Sequence, residues 1–67
     1  MLESIVLEHL RERGRLKKSE LYQLVHDDPG CDIGYNFVQK AIRKMIKNGY
    51  LRVEKGIART EYVMINE

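Results

Sequence analysis

The sequence predicts an α+β domain, mainly α, in which three helices precede a C-terminal β-hairpin. Tyr35 to Gly49, YNFVQKAIRKMIKNG, separates into an apolar and a polar face when wound at about 100° per residue. Leu2 to Arg13 and Ser19 to His26 carry apolar residues at the same helical spacing. After Gly49 the period changes to two: Tyr50 to Glu54 and Arg59 to Ile65 alternate on either side of Lys55-Gly56, as strands joined by a turn do.

In the first helix Leu2, Ile5, Val6, His9 and Leu10 share one face, with Leu7 off the stripe and His9 as a partly buried packing residue. Gly14 ends this helix, and Arg15 to Lys18 reads as a short extended link. Ser19 suits an N-cap, because its hydroxyl can accept an orphan backbone N–H, and Glu20 suits the positive end of the helix dipole. Leu21, Leu24 and Val25 form the apolar edge of the second helix. Asp27-Asp28-Pro29-Gly30 is a turn by composition. Asp32 could cap the third helix, or Gly34 could mark its start. The third helix places Phe37, Val38, Ala41, Ile42, Met45 and Ile46 on one side, and Gly49 stops it. Leu10, Leu21, Leu24, Val38, Ile42, Met45 and Leu51 are the expected core. Tyr22 and Tyr50 are read as packing residues, and Arg52, Lys55 and Arg59 as flanking a hairpin tip at Gly56.

The 67 residues make one domain spanning 1–67. A chain this short buries only about 60% of its unfolded surface, which leaves little volume for an enclosed substrate pocket. No Ser/His/Asp arrangement or Gly-rich phosphate loop appears, so the reading is not an enzyme and calls for no cofactor. The single Cys31 cannot form an internal disulfide. His26, Asp27, Asp28, Cys31 and Asp32 lack the paired ligand spacing of a structural zinc site, and turn and cap formation accounts for the acids. Apolar runs are far too short for a membrane span, and Glu3 and Glu8 stand where a signal peptide carries positive charge, so a cytoplasmic location is expected.

The net charge of +2 is modest, but its distribution is uneven. Residues 1–34 hold five Lys/Arg against seven Asp/Glu, a net of −2, and residues 35–67 hold seven against three, a net of +4. The basic half contains the two-faced helix, whose polar side carries Asn36, Gln39, Lys40, Arg43, Lys44 and Lys47 and no acid. A solvated helix ordinarily mixes signs, since opposite charges at i,i+4 stabilise it. A face of one sign gives up that support and fits a polyanion.

The order of elements resembles the winged helix-turn-helix family. The resemblance lies in RLKKSELYQLV, in FVQKAIRKMIKNGYLRVEKG and in RTEYVMI, and spans nearly the whole chain. Ile42, Met45, Gly49, Tyr50 and Leu51 fill the apolar and glycine places that close the recognition helix in that family. The resemblance implies double-stranded DNA binding by a small transcriptional regulator, with the third helix, about 35–48, in the major groove. It also implies that the 50–65 hairpin serves as a wing along the backbone or in a minor groove, with Tyr62 packing on the core from it. One departure is the His26 to Gly34 link, which is longer than a tight helix-turn-helix turn and sets the two helices less rigidly.

Groove chemistry assigns the roles. Arg reads guanine and Asn or Gln reads adenine, so Arg43, Asn36 and Gln39 are candidates for base contact. Lys40, Lys44 and Lys47 are candidates for phosphate, with Tyr35 as a hydroxyl donor. Arg52, Lys55 and Arg59 complete the set from the hairpin. Lys17 and Lys18 read as part of a solvated turn. One domain offers few phosphate contacts, so a homodimer on two half-sites is expected, joined through the first helix or the wing. The rival is a protein-interaction winged helix without DNA-binding activity, favoured if Leu7 and Ile46 form one exposed patch.

Overall fold

A computed structural model describes residues 2–67. The chain runs through α1 (Leu2–Arg13), β1 (Arg15–Lys17), α2 (Lys18–Asp27), α3 (Tyr35–Lys47), β2 (Leu51–Lys55), a 3₁₀ turn (Ile57–Arg59) and β3 (Glu61–Ile65). The three helices and the C-terminal hairpin follow the sequence pattern. The addition is β1: the stretch expected to be only a link pairs antiparallel with β3 and makes a three-stranded sheet of order β1-β3-β2. Its signal was three residues long, polar-apolar-polar, too short for a periodicity to show.

Strand register explains which side chains turn inward. Leu16 and Val53 both lie opposite Val63, forming an apolar row across the sheet. Leu16 and Val63 are buried and Val53 is half-buried. The helices cover this row. Val6 and Leu10 from α1, Leu21, Tyr22 and Val25 from α2, Val38, Ile42 and Met45 from α3, and Leu51 complete the core. At roughly 25 cal/mol per Å² of apolar surface buried, side chains of this size are the main favourable term available to so small a domain. Leu24, expected inside, is only half-buried and packs against the core from its margin.

Of the helix starts, that of α2 differs from expectation, and α3 takes the second of its two alternatives. α2 begins one residue before Ser19, and Lys17, at its N-cap, makes no side-chain cap bond. β1 explains the shift, since the strand runs directly into the helix. At α3 the N-cap is Gly34 rather than Asp32, also without a side-chain bond. The end of α3 follows the sequence reading closely. Gly49 has φ +87°, its N–H bonds the Ile46 carbonyl at 3.1 Å, and the Tyr50 N–H bonds the Met45 carbonyl at 3.0 Å. This is the Schellman arrangement, in which a left-handed residue lets two orphan carbonyls be satisfied.

The link between α2 and α3 is held more firmly than its length suggests. Asp28 accepts the Gly30 N–H at 2.8 Å through one carboxylate oxygen. Its other oxygen lies 3.0 Å from His9 Nε2 on α1. The Gly30 hydrogen bond first, then the hydrogen bond and charge of His9, hold the Asp28 carboxyl below its ordinary value against the opposing effect of desolvation. His9 is thus half-buried as expected, but its role is to tie α1 to the link.

The tight turn lies next to Gly56 rather than at it. The residues with left-handed backbone are Ala58 (φ 58°) and Arg59 (φ 64°), and the Thr60 N–H bonds the Ile57 carbonyl across them at 3.2 Å. Two consecutive positive φ values are what a type I′ hairpin turn requires. Gly56 has an ordinary φ of −101°, and its need is spatial: a Cβ there would lie 2.7 Å from Cε2 of Tyr62.

Candidate nucleic-acid interface

α3 projects the predicted polar residues from a helix whose opposite side is anchored in the core. Val38, Ile42 and Met45 face inward, which turns Asn36, Lys40, Arg43, Lys44 and Lys47 to solvent and leaves Gln39 half-buried. Asn36, Gln39, Lys40 and Arg43 come together around one shallow cleft. From Asn36 to Lys47 the line of side chains runs about 16 Å, at 1.5 Å per residue. A major groove about 12 Å wide admits a helix of this diameter.

The cations on this face have no ion-pair partner among the described residues. Among the described residues, Lys40, Arg43, Lys44 and Lys47 join no ion pair, and neither do Lys55 and Arg59. Asn36 and Gln39 likewise make no side-chain hydrogen bond among the described residues. Lys44 and Lys47 fall in the last turn of α3, where they also complement the negative end of its dipole.

Phe37 was expected on the apolar side. It is instead 64% exposed and lines the same cleft as Asn36, Gln39, Lys40 and Arg43. Its position at the edge of the apolar arc explains the difference: the core is filled by Val38, Ile42 and Met45, and α2 reaches the start of α3 through another ring. That ring is Tyr35, which packs edge-on against Tyr22 at 6.2 Å and against His26 at 5.7 Å. Tyr35 is therefore half-buried between the two helices, and only part of it remains to face a ligand. Sequence spacing alone could not have revealed Phe37, because an aromatic residue at the edge of the stripe reads as core by default.

The hairpin cations have surroundings of their own. Arg52 lies 3.5 Å from Glu54 on the same face of β2. Lys55 stands exposed at the strand end. Arg59, held at the tip, shares a cleft with Lys17, Lys18 and Ser19 at the start of α2. The run Lys17-Lys18, read as a solvated turn, is thus brought beside Arg59, with Lys18 also 3.4 Å from Glu61. The signal was absent from the sequence because it depends on β1 pairing with β3.

Tyr50, expected to pack, is 63% exposed, because the Schellman turn carries it outward before Leu51 returns to the core. Leu7 and Ile46 are each half-buried, so they do not form an exposed patch. Tyr62, expected to pack on the core, is instead half-buried on the outer side of the sheet, because Val63 takes the inward place, and the guanidinium of Arg15 lies 4.4 Å from its ring centroid. Among the described residues, no group of three or more His, Cys, Asp or Glu side chains is placed to hold a metal ion, and no helix is long and apolar enough to cross a membrane.

Comparison with protein-family models, with curated proteins and with solved structures returns no match to this chain.

Proposed function

We propose that this chain binds double-stranded DNA sequence-specifically, as a small transcriptional regulator of the winged helix-turn-helix kind. α3 enters the major groove and the 50–65 hairpin acts as the wing. The observation that carries this reading is the outer face of α3, with four cations unpaired among the described residues, two uncommitted amides and no acid. Leaving such a face unanswered costs helix stability, and a phosphate backbone supplies the missing counter-charge.

Arg43, Asn36 and Gln39 contact base edges, and Lys40, Lys44 and Lys47 contact phosphates. Phe37 extends the assignment. An exposed aromatic ring among base-reading side chains suits the C5-methyl of thymine, which offers an apolar contact in the major groove. In the wing, Arg59 and Lys55 meet the backbone, with Lys17 beside Arg59. Arg52, engaged by Glu54, contributes less.

The rival reading, a protein-docking winged helix, draws on the same exposed Phe37 and on Ile57, which is 92% exposed at the hairpin tip. Fluorescence titration of the 67-residue chain against random and selected duplexes separates the two, with polyglutamate as the acidic control. The DNA reading expects selected duplex to be bound more tightly than random duplex, and both more tightly than polyglutamate. Equal binding to duplex and polyglutamate, or none to duplex in low salt, would sink it.

A further inference from the structure

A groove of about 420 Å³ lies between the outer side of α1 and the end of α3, mostly apolar, with Glu3, Leu7, Arg11, Met45, Tyr50 and Ile65 among its walls. Its rim is fixed. The Asn66 N–H bonds the Tyr50 carbonyl at 3.0 Å, and Asn66 Nδ2 donates to the Gly49 carbonyl at 2.8 Å. Tyr50 is therefore held outward on a preformed edge.

Glu3, Leu7 and Arg11 stand at i, i+4 and i+8 on one side of α1. Glu3 and Arg11 are both exposed. They lie about 12 Å apart along the helix, too far to pair with each other. Among the described residues neither joins an ion pair. The line reads acid, apolar, base, and it is its own complement when reversed. A two-fold axis at Leu7 places Glu3 of each copy opposite Arg11 of the other and Leu7 against Leu7. A parallel alignment would oppose Glu3 to Glu3 and is repulsive.

We propose that this face is the interface of a homodimer in which two α1 helices pack antiparallel about Leu7, with Tyr50 covered at the rim. A two-fold, self-complementary contact is the commonest way for identical chains to associate. The occupant is a second copy because the charge order of this one helix matches its own reverse. The proposal does not rest on DNA binding, and its test contains no DNA.

The test is sedimentation equilibrium of the full chain from about 1 µM to about 1 mM, the range in which a contact of modest area associates. Wild type is expected to form dimers. Glu3→Arg alone and Arg11→Glu alone each turn two attractions into two repulsions, and each is expected to weaken the dimer by about tenfold or more. Mixing those two single variants is expected to restore association as a heterodimer. The double variant Glu3→Arg/Arg11→Glu is expected to restore it within one sequence. Both residues are exposed, so unchanged circular dichroism melts keep the result separate from unfolding. Leu7→Asp is expected to give a monomer. A monomer at every concentration overturns the proposal. So does a dimer indifferent to the single swaps, or a mixture of the two single variants that fails to associate.

Discussion

On the outer face of the sheet, two of the cations are answered within the protein. Arg15 sits over the ring of Tyr62 and Arg52 pairs with Glu54, while Lys18 reaches Glu61 at the sheet's edge. On the outer face of α3, none of the four cations has an ion-pair partner among the described residues. Both surfaces look basic in sequence, but α3 holds no acid, whereas Glu54 stands two residues from Arg52 on the same face of β2. Exposed ion pairs are worth at most about 1 kcal/mol, so the sheet's pairs do not forbid contact with a polyanion. They do reduce the gain from making one. A cation already oriented by a neighbour must give up that contact to meet a phosphate, whereas those on α3 give up only water.

The comparison depends first on α3 staying in place. Ile42 is fully buried beneath the basic face, and Ile42→Ala is expected to cost about 2–5 kcal/mol. A domain this size has roughly that much stability in all, so urea denaturation should find the variant largely unfolded and DNA titration should find it inactive. On the sheet side, Gly56→Ala forces a Cβ against the Tyr62 ring at 2.7 Å, with an expected cost of about 1–3 kcal/mol from overpacking. Duplex binding by the fraction that remains folded should be retained, since α3 is untouched.

Direct removal of charge sharpens the contrast further. Arg43→Ala is expected to cost about 1–3 kcal/mol on the preferred site and less elsewhere. Arg52→Ala, on the answered face, is expected to change affinity by well under about 1 kcal/mol. Equal losses for the two would erase the distinction between the faces.

The smallest expected effect concerns the link. The Asp28 carboxyl is held below its ordinary value of 3.8. A carboxyl whose folded value is lowered stabilises the fold above its unfolded value and loses that contribution as pH falls through the folded one. Wild type should therefore lose stability below about pH 4, and Asp28→Asn should be less stable than wild type at neutral pH but approach it in strong acid. Urea midpoints across that pH range measure the difference.

The parts of this molecule legible in sequence are those fixed by local periodicity and by glycine. α3 and its Schellman stop at Gly49 were readable because apolar spacing and a left-handed residue act within one turn of helix. β1 was not, because three residues carry no period and its pairing partner lies more than 40 positions away, as Leu16 opposite Val63 shows. Phe37 and Tyr50 failed for a related reason. Their type says that they prefer burial, but the core was filled by residues from other elements, so tertiary packing decided their exposure. The unpaired state of the α3 cations was foreseeable from the lack of acids on that face. The meeting of Arg59 with Lys17 was not, because it depends on β1 pairing with β3.

The most direct measurement of the central claim is the salt dependence of duplex binding for wild type and for Lys40→Ala, Lys47→Ala and their double variant. The logarithm of affinity should fall linearly with the logarithm of salt concentration, with a slope of about −3 or steeper for wild type. Each lysine removed should flatten that slope by about one unit, alike on random and selected sequences. Contradiction would come from a wild-type slope near zero, or from a double variant whose affinity and slope match those of wild type.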